Sequence, residues 1–246
     1  MYLTIRAIVL RVTDYNDRDA LLTVLSRDHG KLTIKARGLR RKNSPLVAPC
    51  QLLAFGEFTL FEYKGQYTIN EAHSLELFSP LRRDLTKLSL GTYFAQAAEV
   101  ISQEDMPNPE LQSLLLNCLF ALSRLDEPEA KVKAVFELRA ACLAGYMPEL
   151  FGCHNCGNQN PDRFDISEGM LECHNCRTVG GGIRMPVTPG VLEAMRYICL
   201  CEPKKLLSFS IGEENLQMLE NLTEAYLTAQ LERGFSTLDF YKSLLI

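Results

Sequence analysis

Apolar and polar positions change their period once along this chain. Up to residue 73 they alternate at every second position, and from Leu81 onward they recur at every third or fourth. The first regime predicts five strands, at Ile5–Val12, Ala20–Leu25, Lys31–Arg37, Gln51–Tyr63 and Tyr67–Ala72. The third strand is the cleanest: Leu32, Ile34 and Ala36 face one side, and Lys31, Thr33, Lys35 and Arg37 face the other. Turn formers separate the strands. They are an acidic loop holding Asp14, Asn16, Asp17 and Asp19, then Asp28-His29-Gly30, then a basic loop from Gly38 to Pro45, and Lys64-Gly65. Gly56, inside the long fourth strand, is the expected place for a bulge.

The second regime predicts helices. Asp84 is placed to cap one that runs through Ile101, with Leu85, Leu88, Phe94, Ala97, Ala98 and Ile101 inward. Pro107 and Pro109 end it. Asn108 then caps a second helix with Pro109 at its first position, and Leu111, Leu114, Leu115, Cys118, Leu119, Leu122 and Leu125 form its apolar stripe. A third starts near Pro128 and carries Val132, Val135, Phe136 and Leu143. Thr188-Pro189 opens a fourth. Ser210-x-x-Glu213 has the spacing of a capping box ahead of a fifth, which Gly234 closes, and Leu238–Ile246 is apolar enough to dock back. Gly180-Gly181-Gly182 lacks the Lys-Ser/Thr of a phosphate loop and is read as a linker.

Five short strands without an intervening helix suit a small closed barrel, of the OB type or the SH3-like type. The expected fold class is therefore α+β. A barrel domain over residues 1–78 precedes a helical domain over 79–246, with a cysteine-bearing loop inserted at 150–180.

Composition changes this picture in one respect. The chain has 246 residues, 47% hydrophobic and 23% charged, which is ordinary for a globular protein. No apolar run approaches the ~20 residues that span a bilayer, and Met1-Tyr2-Leu3-Thr4 runs into a strand pattern rather than a targeting segment. The net charge of −4 argues against nucleic acid, but residues 1–45 carry ten Lys and Arg against four Asp, leaving 16 cations against 26 carboxylates for the remainder. A basic head on an acidic body implies one polyanion-binding face and a separate surface for other partners.

The candidate chemistry centres on Cys153-His154-Asn155-Cys156 and Cys173-His174-Asn175-Cys176, sixteen residues apart. Two Cys-x-x-Cys pairs at this spacing suit one structural zinc per chain, each pair chelating from a tight turn with Zn–S near ~2.3 Å. Disulfides and a redox pair are the alternatives. An odd total of nine cysteines and the absence of a signal segment favour a reducing compartment, where metal binding is the expected use. Four thiolates close the shell, leaving no position for catalytic water and placing His154 and His174 outside it. Cys50, Cys118, Cys142, Cys199 and Cys201 lie in apolar surroundings and are assigned to cores. Within the loop only Met170 and Leu171 look packed, so a metal is expected to hold it.

No P-loop, Gly-x-Ser-x-Gly or His-Glu-x-x-His occurs, and none of the four histidines has Glu two residues on, as a zinc deaminase requires. This points to a binding protein and not an enzyme. Candidate phosphate contacts are Arg6, Arg11, Arg27, Lys31, Lys35, Arg37, Arg40, Arg41 and Lys42, with Lys35 to Lys42 the sharpest group. The alternative is a solvated charged face. A cationic groove with aromatics nearby is how OB barrels hold single strands, and Phe55, Phe58, Phe61, Tyr63 and Tyr67 are the aromatic supply on strands four and five. Competing readings are a zinc-ribbon adaptor that binds proteins through its helices, and a metal-dependent nuclease.

Together, the strand Lys31-Leu32-Thr33-Ile34-Lys35-Ala36-Arg37-Gly38, the basic loop, the helical body, and the four-cysteine loop opening after Gly145-Tyr146-Met147-Pro148 resemble the bacterial RecO family over essentially the whole chain. The resemblance implies an N-terminal OB-fold and a non-catalytic mediator of DNA repair and recombination. That mediator would bind single- and double-stranded DNA and anneal complementary strands. It would be cytoplasmic and associated with the nucleoid. Its implied partners are RecR, the C-terminal tail of single-stranded DNA-binding protein, and RecF, and it would help load RecA onto gaps. The implied zinc ligands are Cys153, Cys156, Cys173 and Cys176, and the implied DNA contacts are Lys31, Lys35, Arg37, Arg40, Arg41 and Lys42. A pocket for the tail is expected to be an apolar groove flanked by cations, with Arg139, Arg196, Lys204 and Lys205 as candidates.

Overall fold

A computed structural model describes residues 1–176 and 182–245. Two members of the triple-glycine segment, Gly180 and Gly181, lie outside the described residues. So do the end of the expected cysteine loop and Ile246, the last residue of the expected C-terminal segment. Five strands occur where alternation predicts them: β1 Tyr2–Asp14, β2 Ala20–Ser26, β3 Gly30–Ala36, β4 Phe55–Tyr63 and β5 Gln66–Glu76. They close into a barrel in the order β1-β2-β3-β5-β4, with β3 and β5 the parallel pair. This is the OB architecture. The inward set of each strand, including Ile5, Val9, Leu22, Val24, Leu32, Ile34, Phe58, Leu60 and Ile69, fills the barrel.

Strand four starts at Phe55 and not Gln51, because Gln51–Ala54 forms a turn in which Leu53 takes a φ of +65°. The register does shift between Phe55 and Gly56, where a bulge is expected. Gly30 has φ +65° at the β2–β3 turn.

Three helices share a compact unit with the barrel. They are α1 Leu85–Ile101, α2 Pro109–Arg124 and, from the far end of the chain, α6 Ser236–Ser243; this unit comprises Met1–Leu125 and Phe235–Ile246. Asp84 accepts from Lys87 N and Asn108 from Leu111 N, so both predicted caps form. Leu85, expected inward, is exposed, because it opens α1 ahead of the buried stripe at Leu90, Tyr93, Phe94, Ala97 and Ala98. β1 packs against α1, and Ile8 and Leu10 are buried although they alternate out of the barrel core.

The second compact unit is Asp126–Gly234. The sequence divides the chain after residue 78, just past the last barrel strand, whereas the packing groups α1 and α2 with the barrel. This unit contains α3 Glu129–Leu143, α4 Pro189–Leu200 and α5 Glu213–Gln230. Thr188 caps α4 through Val191 N. The proposed Ser210 capping box does not form: Gly212 holds the N-cap position of α5 and no side chain caps it. The helix also stops at Gln230, before Gly234.

The cysteine segment is not coreless. Its strands β6 Glu149–Cys153, β7 Arg163–Asp165, β8 Met170–Glu172 and β9 Arg184–Pro186 form a sheet in the order β6-β8-β7-β9. Leu150, Phe164, Ile166 and Leu171 are buried, and the Phe164 ring meets Tyr226 of α5 edge-on at 5.3 Å. Strands this short escape a period-2 reading.

Candidate metal centre and nucleic-acid interface

The two Cys-x-x-Cys turns converge. The sulfurs of Cys153, Cys156, Cys173 and Cys176 all lie within 4.8 Å of one another. Cys153 Sγ is 3.7 Å from Cys176 Sγ, and Cys156 Sγ is 3.9 Å from Cys173 Sγ. A tetrahedral ion with Zn–S of ~2.3 Å requires sulfurs about 3.8 Å apart, so the donor set fits a closed structural site. Gly157, with φ +71°, makes the turn after the first pair. Asn158 Nδ2 donates to Cys173 Sγ at 3.1 Å, and Cys173 N donates to Cys153 Sγ at 3.3 Å, which orients the ligands from outside.

Charge at the cluster favours a cation. Desolvation works against the Cys153 thiolate, but N–H groups of Cys156, Asn155 and Cys173 outweigh it and hold that thiol down to about 6. Hydrogen bonds with Cys156 and Cys153 push Cys176 up to about 12. Four thiolates side by side repel one another, and a divalent ion relieves that repulsion. His174 Nδ1 sits 2.5 Å from Asp162 Oδ2, and His154 is half-exposed facing Glu149 at 3.9 Å; neither ring joins the four sulfurs. Of the five other cysteines, Cys50, Cys118 and Cys199 are buried. Cys142 and Cys201, expected in cores, are only half-buried.

On the barrel, the acidic loop folds onto the basic strand. Asp19 pairs with Lys35 at 3.5 Å and accepts from Gly38 N; Asp14 pairs with Arg40 at 2.7 Å. Arg37, Arg41 and Lys42 are exposed and make no ion pair among the described residues. Lys31 stands apart from them, at the opposite end of β3, and its ammonium donates to the Glu99 carbonyl at 3.1 Å. Arg6 and Arg11 are paired with Glu57 and Glu99, both at 3.0 Å. The structure thus groups Lys35, Arg37, Arg40, Arg41 and Lys42 at one end of β3 and leaves Lys31, Arg6 and Arg11 elsewhere.

The aromatic supply divides by alternation. Phe58 is in the core, Phe55 and Tyr67 are half-buried, and Phe61 and Tyr63 are exposed. Two further exposed rings, Tyr2 and Tyr15, join them. Tyr15 lies beneath the Lys35 ammonium, 4.4 Å from it. Their signal was present in the sequence, as aromatics at the polar positions of a strand and its flanking loop.

In the helical unit, Arg196 donates to the Leu150 carbonyl at 2.8 Å and lines an apolar groove of about 390 Å³ with Met147, Leu150, Phe151 and Leu200. Arg196 and Lys205 also line an adjoining groove along α4. Arg139 turns away and donates to the carbonyls of Ile198 and Cys199 at the end of α4. Lys204 is exposed.

Comparison with known proteins follows these parts. Residues 1–78 match the model of recombination protein O, N terminal, and residues 82–239 match that of recombination protein O, C terminal. The chain belongs to the RecO family. It is 31% identical to the DNA repair protein RecO of Acetivibrio thermocellus, over 99% of this chain and 97% of that protein. It is 27% identical to that of Bacillus subtilis, over 89% and 86%, and 28% identical to that of Symbiobacterium thermophilum, over 96% and 95%. Membership of the RecO family implies a role in DNA repair and recombination. No helix among the described residues is long and apolar enough to cross a membrane.

Proposed function

We propose that this protein is a non-catalytic recombination mediator that binds single- and double-stranded DNA through its barrel, residues 1–78, and anneals complementary strands. The helical remainder, residues 79–246, is assigned to protein partners. With RecR, and in concert with RecF, it would help load RecA onto gaps coated by single-stranded DNA-binding protein, at the nucleoid in the cytoplasm. The observation that carries the DNA reading is the exposed group Arg37, Arg41 and Lys42, continuous with Lys35 and Arg40 on a five-stranded OB barrel. The C-terminal tail of single-stranded DNA-binding protein is assigned to the apolar groove beside Arg196. The metal is assigned as one structural zinc per chain on Cys153, Cys156, Cys173 and Cys176.

Annealing of complementary strands precoated with the cognate single-stranded DNA-binding protein is the deciding experiment. Annealing above the uncatalysed rate is expected. A pure protein-binding adaptor would leave the strands apart. Labelled DNA incubated with Mg²⁺ or Mn²⁺ is expected to stay intact, and cleavage would turn the reading toward a nuclease.

A further inference from the structure

The strand registers of the barrel define a row that crosses four strands. Lys35 on β3 lies opposite Thr68 on β5, Thr68 opposite Phe61 on β4, and Phe61 opposite Tyr2 on β1. Opposed residues in a ladder point to the same side of the sheet. Their neighbours Ile34, Ile69 and Leu60 fill the barrel, with Leu3 packed against them, so the row stands on the outer wall. With strands about 4.8 Å apart, the row spans roughly 14 Å. Arg37 follows in the turn just past the end of β3, and on the opposite side of the row Tyr63 stands two residues beyond Phe61 on the same face of β4.

The aromatic end of the row is open to solvent. Tyr2 and Tyr63 are each 63% exposed and Phe61 is 42% exposed. The Tyr2 and Phe61 rings are 5.5 Å apart and tilted by 57°, and the Lys64 ammonium sits 5.5 Å from the Tyr63 ring. The next cross-strand pair down is Thr4 with Thr59, hydroxyl to hydroxyl at 3.4 Å, and the one below is Arg6 with Glu57, which neutralise each other. Glu62 alternates to the other face, and its carboxylate accepts from Gly65 N. Glu71, opposite Thr59 on this outer face, is exposed and faces His73 at 3.0 Å, so the ring cluster has cations near two of its edges and a carboxylate beside a third.

Rings alone would suit many partners. Rings flanked by cations at the spacing of a strand ladder match a polyanion whose backbone and flat faces alternate. A duplex hides its base faces in the stack, so only unpaired bases offer them. We propose that Tyr2, Phe61 and Tyr63 form a stacking platform for the unpaired bases of single-stranded DNA, with Arg37 and Lys64, neither of them ion-paired among the described residues, holding the adjacent phosphates. This rests on the DNA-binding reading above and adds to it the residues that tell single strands from double.

The test uses the full chain and three labelled probes of equal length: a thymidine strand, an abasic strand with the same phosphates, and a duplex. The intact protein is expected to bind the thymidine strand at least about tenfold more tightly than the abasic one, since stacking on an aromatic contributes that much per base. Tyr2→Ala combined with Phe61→Ala should remove the preference, while duplex affinity and the salt dependence stay as they were. Phe61→Tyr should retain it, and Tyr63→Ala, at the hairpin end, should reduce it without touching the β1–β4 contact. Equal binding of all three probes by the intact protein, or a preference that survives the double replacement, overturns the platform and leaves the patch to a protein partner. Failure to bind any probe would overturn the DNA reading and the platform together.

Discussion

Lys133 and Glu137, one turn apart on α3, form an ion pair at 3.1 Å with side chains 1% and 0% exposed. Lys133 also meets Glu224 at 2.8 Å and Glu220 at 3.7 Å, both from α5, and Thr223 donates to Glu137 at 2.9 Å. One cation thus joins three carboxylates across the principal helix–helix contact of the second unit. Replacing it should be costly. Lys133→Met is expected to destabilise the fold by about 3–5 kcal/mol in urea unfolding at pH 8, because it leaves buried carboxylate without its counter-charge. A loss below ~1 kcal/mol would mean that water reaches the site.

The same cluster sets a pH dependence. Burial raises the Glu137 carboxyl from an ordinary 4.5 to about 7, against the pull of Lys133. The folded chain therefore holds a proton there that the unfolded chain has released, and this group's contribution declines as pH rises from 4.5 to 7. Desolvation pulls the Lys133 ammonium down, but Glu137, Glu224 and Glu220 more than reverse it, so its contribution persists below its ordinary pKa and is lost only in alkali. Glu137→Gln should accordingly flatten the fall in unfolding free energy between pH 5 and 7 relative to the unaltered protein. Parallel curves would show that Glu137 ionises normally.

Elemental analysis of protein purified without added metal is expected to give about one zinc per chain. Cys173→Ala should remove it and accelerate hydrogen exchange in β6, β7 and β8, since a structural site contributes folding energy directly. Phe164 and Tyr226 still anchor the sheet to α5, so the helices should remain protected. Protection unchanged across the sheet would count against the site.

Salt titration separates the cations. If about five phosphates are neutralised, log affinity for a single strand should fall against log salt with a slope of roughly −3 to −4. Arg41→Ala and Lys42→Ala should each reduce that slope by about 0.7. Lys31→Ala should leave it unchanged, because its ammonium is already bonded to Glu99. A slope that ignores Arg41 and Lys42 would place the DNA elsewhere.

Gly30 admits no side chain. Its φ is +65°, and a Cβ there would lie 2.1 Å from the Met106 carbonyl oxygen. Gly30→Ala should cost on the order of 1–3 kcal/mol, read as a lowered melting temperature. An unchanged melting temperature would require the Met106 loop to move aside freely.

Much of this architecture follows from period alone. Alternation with β-branched residues places β1, β2, β3 and β5, and Asp84, Asn108 and Thr188 mark the starts of α1, α2 and α4, because strand faces and caps are local properties. The short strands β7, β8 and β9 span three residues each and exist only through pairing. No local pattern announces them. Ser210 misleads for the opposite reason: its spacing is right, but the chain enters α5 through Gly212.

By itself, the order of residues determined a strand-built head, a helical body, four cysteines spaced for one ion, and a surplus of cations near the start. Only the tertiary structure decided how those cations are spent. Asp14 and Asp19 fold back to neutralise Arg40 and Lys35, a helix carbonyl claims Lys31, and Arg37, Arg41 and Lys42 stay open. It also decided that Lys133 and Glu137 go inside and that Lys35, Thr68, Phe61 and Tyr2 share one row. The physical reason is that charge and alternation are carried by each residue, whereas partners and register depend on which segments, distant along the chain, come to lie side by side.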